Sequence, residues 1–124
     1  MKSEILFLSM NNHQSQVDLL KSKIDLTVFE LISQSDSLNP LDLLIKHQDT
    51  GGSAGFTIDN TNKIMDIEHV VTPPQHRGKG IAKLVVDELF TIASEYNYSI
   101  RPSCSYVSMT YLPKRNDMSG IEII

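Results

Sequence analysis

Hydrophobic and polar residues alternate most regularly over residues 63–72. A period of two residues predicts a β-strand, because successive side chains of a strand point to opposite faces of the sheet. Asp66 and Glu68 would lie on one face together with Ile64 and Val70. The opposite face would carry Met65, Ile67, His69 and Val71.

Two shorter apolar runs precede this strand, at residues 43–45 and 55–59. The segments that separate the three runs, residues 49–53 and 59–62, are rich in Gly, Asp, Asn and Thr, as expected of tight turns. Short turns between strands predict an antiparallel meander. Pro73 and Pro74 would end it, because proline has no N–H to donate to a neighbouring strand.

A helix is predicted over residues 80–96, where the apolar residues Ile81, Val85, Leu89, Ile92, Ala93 and Tyr96 recur at helical spacing. Asn97 is a suitable helix stop. Residues 98–101 would form a strand parallel to residues 63–72, and Pro102 would interrupt their pairing. Two parallel strands that separate in this way leave a crevice at their C-terminal ends, where open α/β sheets bind ligands.

The first 40 residues give a weaker signal. Residues 5–8 are a candidate short strand, and apolar spacing favours a helix over residues 14–23. Ile24, Leu26 and Val28 also alternate, so a strand within residues 25–33 stays open, and residues 35–40 have the composition of a loop. We expect residues 1–40 to pack on a core formed by residues 41–124, within a single domain.

Composition indicates an ordinary globular chain of 124 residues with a net charge of −4. This charge argues against nucleic-acid binding through the general surface. No stretch reaches membrane-spanning length, and His13 and His47 show no metal-ligand spacing. A single cysteine excludes an internal disulfide and favours a reducing compartment, hence a cytoplasmic protein, with the nucleus not excluded. A monomer or weak homodimer is expected.

One basic cluster stands out within residues 73–82, between the predicted strand and the predicted helix. His76, Arg77 and Lys79 supply positive charge, and Gly78 and Gly80 let the backbone approach a ligand closely. The unpaired N–H groups of a helix N-terminus bind phosphate. The spacing fits neither the phosphate loop of nucleotide hydrolases nor a dinucleotide-binding loop. An ordinary glycine turn before a helix is the alternative interpretation.

Three segments together resemble a known family. They are residues 65–69 (MDIEH), residues 77–80 (RGKG) and residues 102–107 (PSCSYV). In this order they resemble the small YjdJ-type subgroup of the GNAT (general-control-related N-acetyltransferase) superfamily, over roughly residues 44–118. The resemblance implies a minimal GNAT-like α+β fold, in which an antiparallel meander is followed by a glycine loop, a central helix and a splayed parallel strand.

The resemblance also implies acetyl-CoA as co-substrate and an amine as acceptor, and no metal is expected because the sequence has no metal-ligand cluster. The pyrophosphate of acetyl-CoA would lie on the backbone of residues 77–82, and its pantetheine arm would lie between the two parallel strands. The resemblance further points to His69 and Cys104 as a catalytic pair. The cofactor-binding residues expected on this basis are Val70, Val71, Gln75, His76, Arg77, Gly78, Lys79, Gly80, Ile81, Ala82, Ser103 and Ser105.

The chemistry of the pair leaves two mechanisms open. His69 could act as the base that deprotonates the amine. Cys104 could give a proton to the departing thiolate, or could attack the thioester and carry the acetyl group itself. Backbone N–H groups of Val70 or Val71 are candidate donors to the oxyanion.

Each assignment has an alternative. A core histidine and an inert, buried cysteine would explain the same two residues. Many GNAT enzymes instead use a carboxylate on this strand as base and often a tyrosine as acid, which makes Asp66, Glu68, Tyr106 and Tyr111 the other candidates. The chain could also be a non-catalytic coenzyme A-binding module or, as a weaker alternative, a cysteine-based thioesterase.

Overall fold

A five-stranded mixed sheet organises the chain, and the computed structural model describes residues 12–115 and 120–124 of it. The strands, which lie in the sheet in chain order, are β1 (Phe29–Ser33), β2 (Leu41–His47), β3 (Ser53–Asp59), β4 (Ile64–Val71) and β5 (Ser99–Arg101). The first four pair antiparallel, and β4 pairs parallel with β5. The predicted meander, central helix and parallel strand are therefore confirmed.

Within the described residues, three helices accompany the sheet: α1 (His13–Lys21), α2 (Ile81–Tyr96) and α3 (Leu112–Lys114). A 3-10 turn, Pro74–His76, precedes α2, and a π-helical turn, Val107–Tyr111, leads directly into α3. α1 confirms the favoured helix within residues 14–23, and β1 shows that a strand also exists within residues 25–33. The predicted strand at residues 5–8 lies outside the described residues.

α1 and α2 pack on one face of the sheet, which we call the inner face. α2 buries the apolar stripe predicted for it, including Val85 and Leu89, in the same core as the sheet. The Tyr96 hydroxyl donates to the Leu19 carbonyl at 3.2 Å and so ties α2 to α1. The strands contribute to this core Phe29, Leu31, Leu41, Leu43, Ile45, Ala54, Phe56, Ile58, Met65, Ile67 and Ile100.

The opposite face of the sheet, which we call the outer face, carries polar and half-buried side chains. Register places Asp42, Thr57 and Asp66 side by side in one row across β2, β3 and β4. The next row on this face holds Leu44 and His69 on either side of Gly55. This face is therefore the more accessible side of the sheet.

A β-bulge in β4 corrects the predicted strand faces. Phe56 pairs with Ile67 and Gly55 pairs with His69, so Glu68 is an extra residue with no partner of its own in β3. An extra residue shifts the alternation that follows it. His69 therefore lies on the outer face and is exposed, while Met65 and Ile67 are buried on the inner face. The prediction that His69 shares a face with Met65 and Ile67 was wrong.

β5 is short, and the pairing of β4 with it ends at Asp66 and Arg101. One further backbone bond, from the Cys104 N–H to the Ile67 carbonyl at 2.9 Å, joins the two segments before they diverge. β4 continues for four residues beyond Ile67 without β5 beside it. This confirms the prediction that Pro102 interrupts the pairing of the two strands. We call the resulting gap the split. On the other edge of β5, Ile123 forms a parallel bridge with Ile100.

Candidate functional site

The glycine loop, residues 77–80, presents backbone donors at the start of α2. Gly78 and Gly80 both adopt left-handed conformations, with φ of 79° and 77°, which L-residues rarely adopt. Gly80 caps α2 without any side-chain hydrogen bond, and the first helical bond runs from the Leu84 N–H to the Gly80 carbonyl. The preceding N–H groups of the helix are therefore available to an anion.

A cavity of about 290 Å³ lies against this loop. From the predicted set, the loop and its flanks contribute His76, Arg77, Gly78, Gly80, Ile81 and Ala82. The cavity is also lined by Thr72, which directly follows β4, by Lys83 of α2, and by Tyr106, Thr110 and Lys114. Arg77 turns back towards β4, where its Nε donates to the Thr72 carbonyl at 3.4 Å. The cavity thus combines backbone N–H groups with a cationic rim.

A second cavity of about 450 Å³ adjoins the first and shares Lys83, Tyr106, Thr110 and Lys114 with it. Its floor contains Asp87, which pairs with Lys83 at 2.8 Å and with Arg115 at 3.4 Å. The Tyr111 hydroxyl donates to the same carboxylate. Asp87 thus neutralises part of the cationic rim and fixes the last helical segment to α2.

Cys104 lies where the two strands diverge. Its side chain is 8% exposed, and it is the free cysteine of the chain. Its carbonyl accepts hydrogen bonds from the backbone N–H of Ser108 at 3.1 Å and from the Ser108 hydroxyl at 3.3 Å. The neighbouring Ser103 and Ser105 are exposed. The thiol is therefore held by backbone bonds at the closed end of the split.

Val70 and Val71 form the end of β4, on the other side of the split. Val70 is half-buried and packs against the core, whereas Val71 is 53% exposed. Within the described residues, the ladder to β5 has already ended at this point. Backbone groups of this stretch alternate in direction, so those that do not face β3 face the split.

His69 lies one residue beyond the bulge, at the same level of β4 as the split. Its ring covers Gly55 of the neighbouring strand β3. No hydrogen bond joins His69 to Cys104 in the part of the chain that the structure describes. The structure therefore brings the two residues to the same region of the sheet without direct contact between them.

Carboxylates accompany His69 on the outer face. Burial raises the pKa of Glu68, and the nearby carboxylates of Asp66 and Asp42 raise it further, while His69 lowers it. The Oδ1 atom of Asp66 is buried and has no hydrogen-bond partner among the described residues. This side of His69 is therefore a region of negative potential.

The two candidate tyrosines differ in their environment. Tyr111 is buried, and burial together with its hydrogen bond to Asp87 raises its pKa well above the usual range. Tyr106 is half-buried and lines both cavities. Burial raises the pKa of Tyr106, as do the charges of Asp87 and Cys104, while Lys83 lowers it. Of the two tyrosines, Tyr106 is therefore the one that lines both cavities and lies within electrostatic range of Cys104.

The cavities bring together most of the predicted loop residues, but not all of the predicted set. The predicted residues that line neither of these two cavities are Val70, Val71, Gln75, Lys79, Ser103 and Ser105, together with the pair His69 and Cys104. Gln75 and Lys79 are exposed, and Lys79 approaches His76 at 3.5 Å. Sequence reasoning missed Thr110 and Lys114. The spacing of four residues from Tyr106 to Thr110 to Lys114, which places all three on one side of a helix, was the available signal.

Two absences among the described residues bear on the class of protein and on the chemistry of the site. None of the helices there has the length and hydrophobicity needed to cross a membrane. The same part of the chain contains no group of three or more His, Cys, Asp or Glu side chains arranged to hold a metal ion.

A comparison with protein families identifies one match. The model of a family described as GCN5-related N-acetyl-transferase matches residues 44–121. The match covers more than half of the 124 residues. It begins within β2 and extends beyond α3, and therefore includes the glycine loop, α2, the split and both cavities.

Proposed function

Because the chain belongs to the family of GCN5-related N-acetyltransferases, we propose that it transfers the acetyl group of acetyl-CoA to an amine. We further assign it to the small YjdJ-type subgroup, on the segments at residues 65–69, 77–80 and 102–107. Residues 41–124 would form the catalytic core in this assignment, and residues 1–40 would pack on it.

The glycine loop carries the proposal. An uncapped helix N-terminus, two left-handed glycines and a cationic rim suit the pyrophosphate of coenzyme A. The pantetheine arm would leave this site past Thr72 and Tyr106 and enter the split, with the thioester near Cys104. Coenzyme A supplies an acetyl group activated as a thioester, and the chain's own residues bind and orient it.

His69 is the proposed base. A neutral amine attacks the thioester carbonyl while the imidazole takes its proton, directly or through water. The backbone N–H groups of Val70 or Val71 would stabilise the oxyanion. When the C–S bond breaks, the coenzyme A thiolate takes a proton from Cys104, with Tyr106 as the other candidate. In the alternative route, Cys104 loses its proton and attacks the thioester first, the C–S bond to coenzyme A breaks, and the departing thiolate takes up a proton. The amine then attacks the acetyl group on the cysteine sulfur, and the Cys104 thiolate leaves and is reprotonated.

The carboxylates of the outer face support an amine as the acceptor. Asp42, Asp66 and Glu68 lie on the same side of the sheet as His69, and their negative potential would attract a cationic ligand. An amine arrives mostly protonated at neutral pH, so attraction of the ammonium form followed by proton removal at His69 is a consistent sequence.

Calorimetry tests whether the protein binds acetyl-CoA. The intact mass of the protein after incubation with acetyl-CoA and no acceptor tests whether the acetyl group passes through Cys104. Gain of one acetyl group that Cys104→Ala abolishes would establish the cysteine route, whereas binding without mass gain would favour direct transfer. Absence of acetyl-CoA binding would overturn the proposal.

Substitution of the catalytic pair separates the enzyme from the alternative, a coenzyme A-binding module without turnover. The lack of a hydrogen bond between His69 and Cys104 is the observation that favours the module. For an enzyme, His69→Ala should lower kcat by about 10²–10⁴-fold and leave acetyl-CoA affinity nearly unchanged. A screen of amines that finds no acetylated product with the unaltered protein would support the module.

A further inference from the structure

The imidazole of His69 lies directly on the backbone of Gly55. A Cβ atom at Gly55 would fall 2.2 Å from Cε1, 2.4 Å from Nε2 and 2.9 Å from Nδ1 of His69. All three of these contacts are to ring atoms, and all are shorter than the 3.0 Å below which real Cβ atoms are essentially never found. The ring therefore occupies the space that any other residue at position 55 would fill with its side chain.

The backbone of Gly55 does not itself require glycine. Gly55 is not among the residues with positive φ, and it lies in mid-strand between Leu44 and His69. Glycine within a strand is less stable than alanine, and it often marks a close approach by another group. The approaching group here is the His69 ring, so the ring is what accounts for the glycine.

We propose that Gly55 is a positioning residue for His69, which holds the imidazole flat against the sheet beside the split. The catalytic part of this inference rests on the proposed function, in which His69 is the base. Two features act together: the extra residue Glu68 brings His69 to the outer face, and Gly55 sets how closely its ring approaches the sheet. Gly55 touches neither cofactor nor acceptor in this arrangement.

Gly55→Ala would displace the ring by about 1 Å, because Cε1 would have to move from 2.2 Å to an ordinary contact distance of 3.4 Å from the new Cβ atom. A displacement of this size in a catalytic group costs on the order of 10²-fold in rate. We therefore expect kcat to fall by roughly that factor, with little change in KM for acetyl-CoA, because the glycine loop is untouched. The pH profile of kcat/KM should also change, since it reports the ionisation of the displaced base.

A double-mutant cycle supplies the matched control. His69→Ala removes the ring. Gly55→Ala in the His69→Ala background therefore creates no clash and should cause no further loss of rate. The melting temperatures should show the same coupling. Gly55→Ala should lower Tm in the unaltered protein. In the His69→Ala background, Gly55→Ala should leave Tm unchanged or raise it by about 2–4 °C.

NMR of the His69 ring gives a readout that needs no acetyl transfer. Gly55→Ala should shift the ring proton resonances of His69, and should leave those of His13 and His47 in place. Unchanged His69 resonances, or equal effects of Gly55→Ala on Tm in both backgrounds, would overturn the positioning role. Displaced resonances and a coupled Tm without any change in kcat would support the role of Gly55 and would overturn His69 as the base. The two proposals can therefore fail separately.

Discussion

Tyr111 joins the last helical segment to α2 through a half-buried hydrogen bond. Its hydroxyl donates to Asp87 and accepts from Arg115. Because hydrogen bonds to charged groups contribute about 1.5–3 kcal/mol, Tyr111→Phe should lower the free energy of unfolding at pH 7 by about 1.5 kcal/mol. Urea unfolding of the two proteins at pH 7 measures this difference.

The same bond predicts a pH dependence. The fold raises the pKa of Tyr111, so its contribution is fully present below the unfolded pKa of about 10. The contribution is lost as pH rises above that value, where the unfolded chain ionises first. The stability difference between the unaltered protein and Tyr111→Phe should therefore shrink between pH 9 and pH 11. A difference that stays constant or grows would contradict the assigned bond.

His69 illustrates, at the scale of one residue, why the sequence alone predicted only part of the site. Alternation correctly placed Met65 and Ile67 on the same face of the strand, and this face is the buried one, but the rule fails where a strand contains an extra residue. Nothing in the sequence around Glu68 indicates a bulge. The residue that does indicate it is Gly55, an isolated glycine in the neighbouring strand. To interpret Gly55 in this way, one must know that it pairs with His69, and the sequence does not show this pairing.

The glycine loop is the element whose conformation is most specific to its residues. Gly78→Ala and Gly80→Ala would each place an L-residue in a left-handed conformation, at a cost of roughly 1–2 kcal/mol, and would disturb the N–H donors. We expect each to weaken acetyl-CoA binding about tenfold, which corresponds to about 1.4 kcal/mol. Calorimetry with acetyl-CoA measures the change.

Gly120 offers a matched control for this loop. It has the same left-handed φ of 77° and equally open surroundings, and it lines neither cavity. Gly120→Ala should lower Tm by a similar amount and leave acetyl-CoA affinity unchanged. Equal loss of affinity in Gly120→Ala would show that the effect arises from general destabilisation and would remove the loop from the site.

The helices and strands that were predicted most accurately are those with the longest regular patterns of hydrophobic and polar residues. β4 and α2 have regular patterns over eight and sixteen residues, and both were located correctly. The segment before β2 was ambiguous, because Ile24 and Val28 fit a helical period and, together with Leu26, also fit the two-residue period of a strand. Tertiary packing decides between them: α1 ends at Lys21 against α2, and β1 pairs with β2.

Charge is unevenly distributed over the whole molecule. The chain has a net charge of −4, yet Arg77, Lys83 and Lys114 surround the glycine loop. Attraction of an anionic cofactor to exposed cations is screened by salt. Acetyl-CoA affinity should therefore fall roughly threefold or more between 0.05 and 0.5 M NaCl.

A pair of lysine variants tests this distribution. Lys114→Ala should weaken acetyl-CoA binding at low salt and flatten its salt dependence. Lys21→Ala, at the end of α1 and outside both cavities, removes the same charge and should change neither. The same salt dependence in both variants would mean that the net charge of the molecule, rather than the cavity rim, governs binding.

The bulge in β4 has a consequence for how the chain tolerates changes in length. Removal of one residue from a strand normally exchanges its two faces and is severely disruptive. Glu68 is different, because the pairs Phe56–Ile67 and Gly55–His69 on either side of it would become consecutive without any change of partner. A one-codon deletion at position 68 should thus be absorbed by the fold, whereas the same deletion at Ile67 would leave the core without one of its side chains.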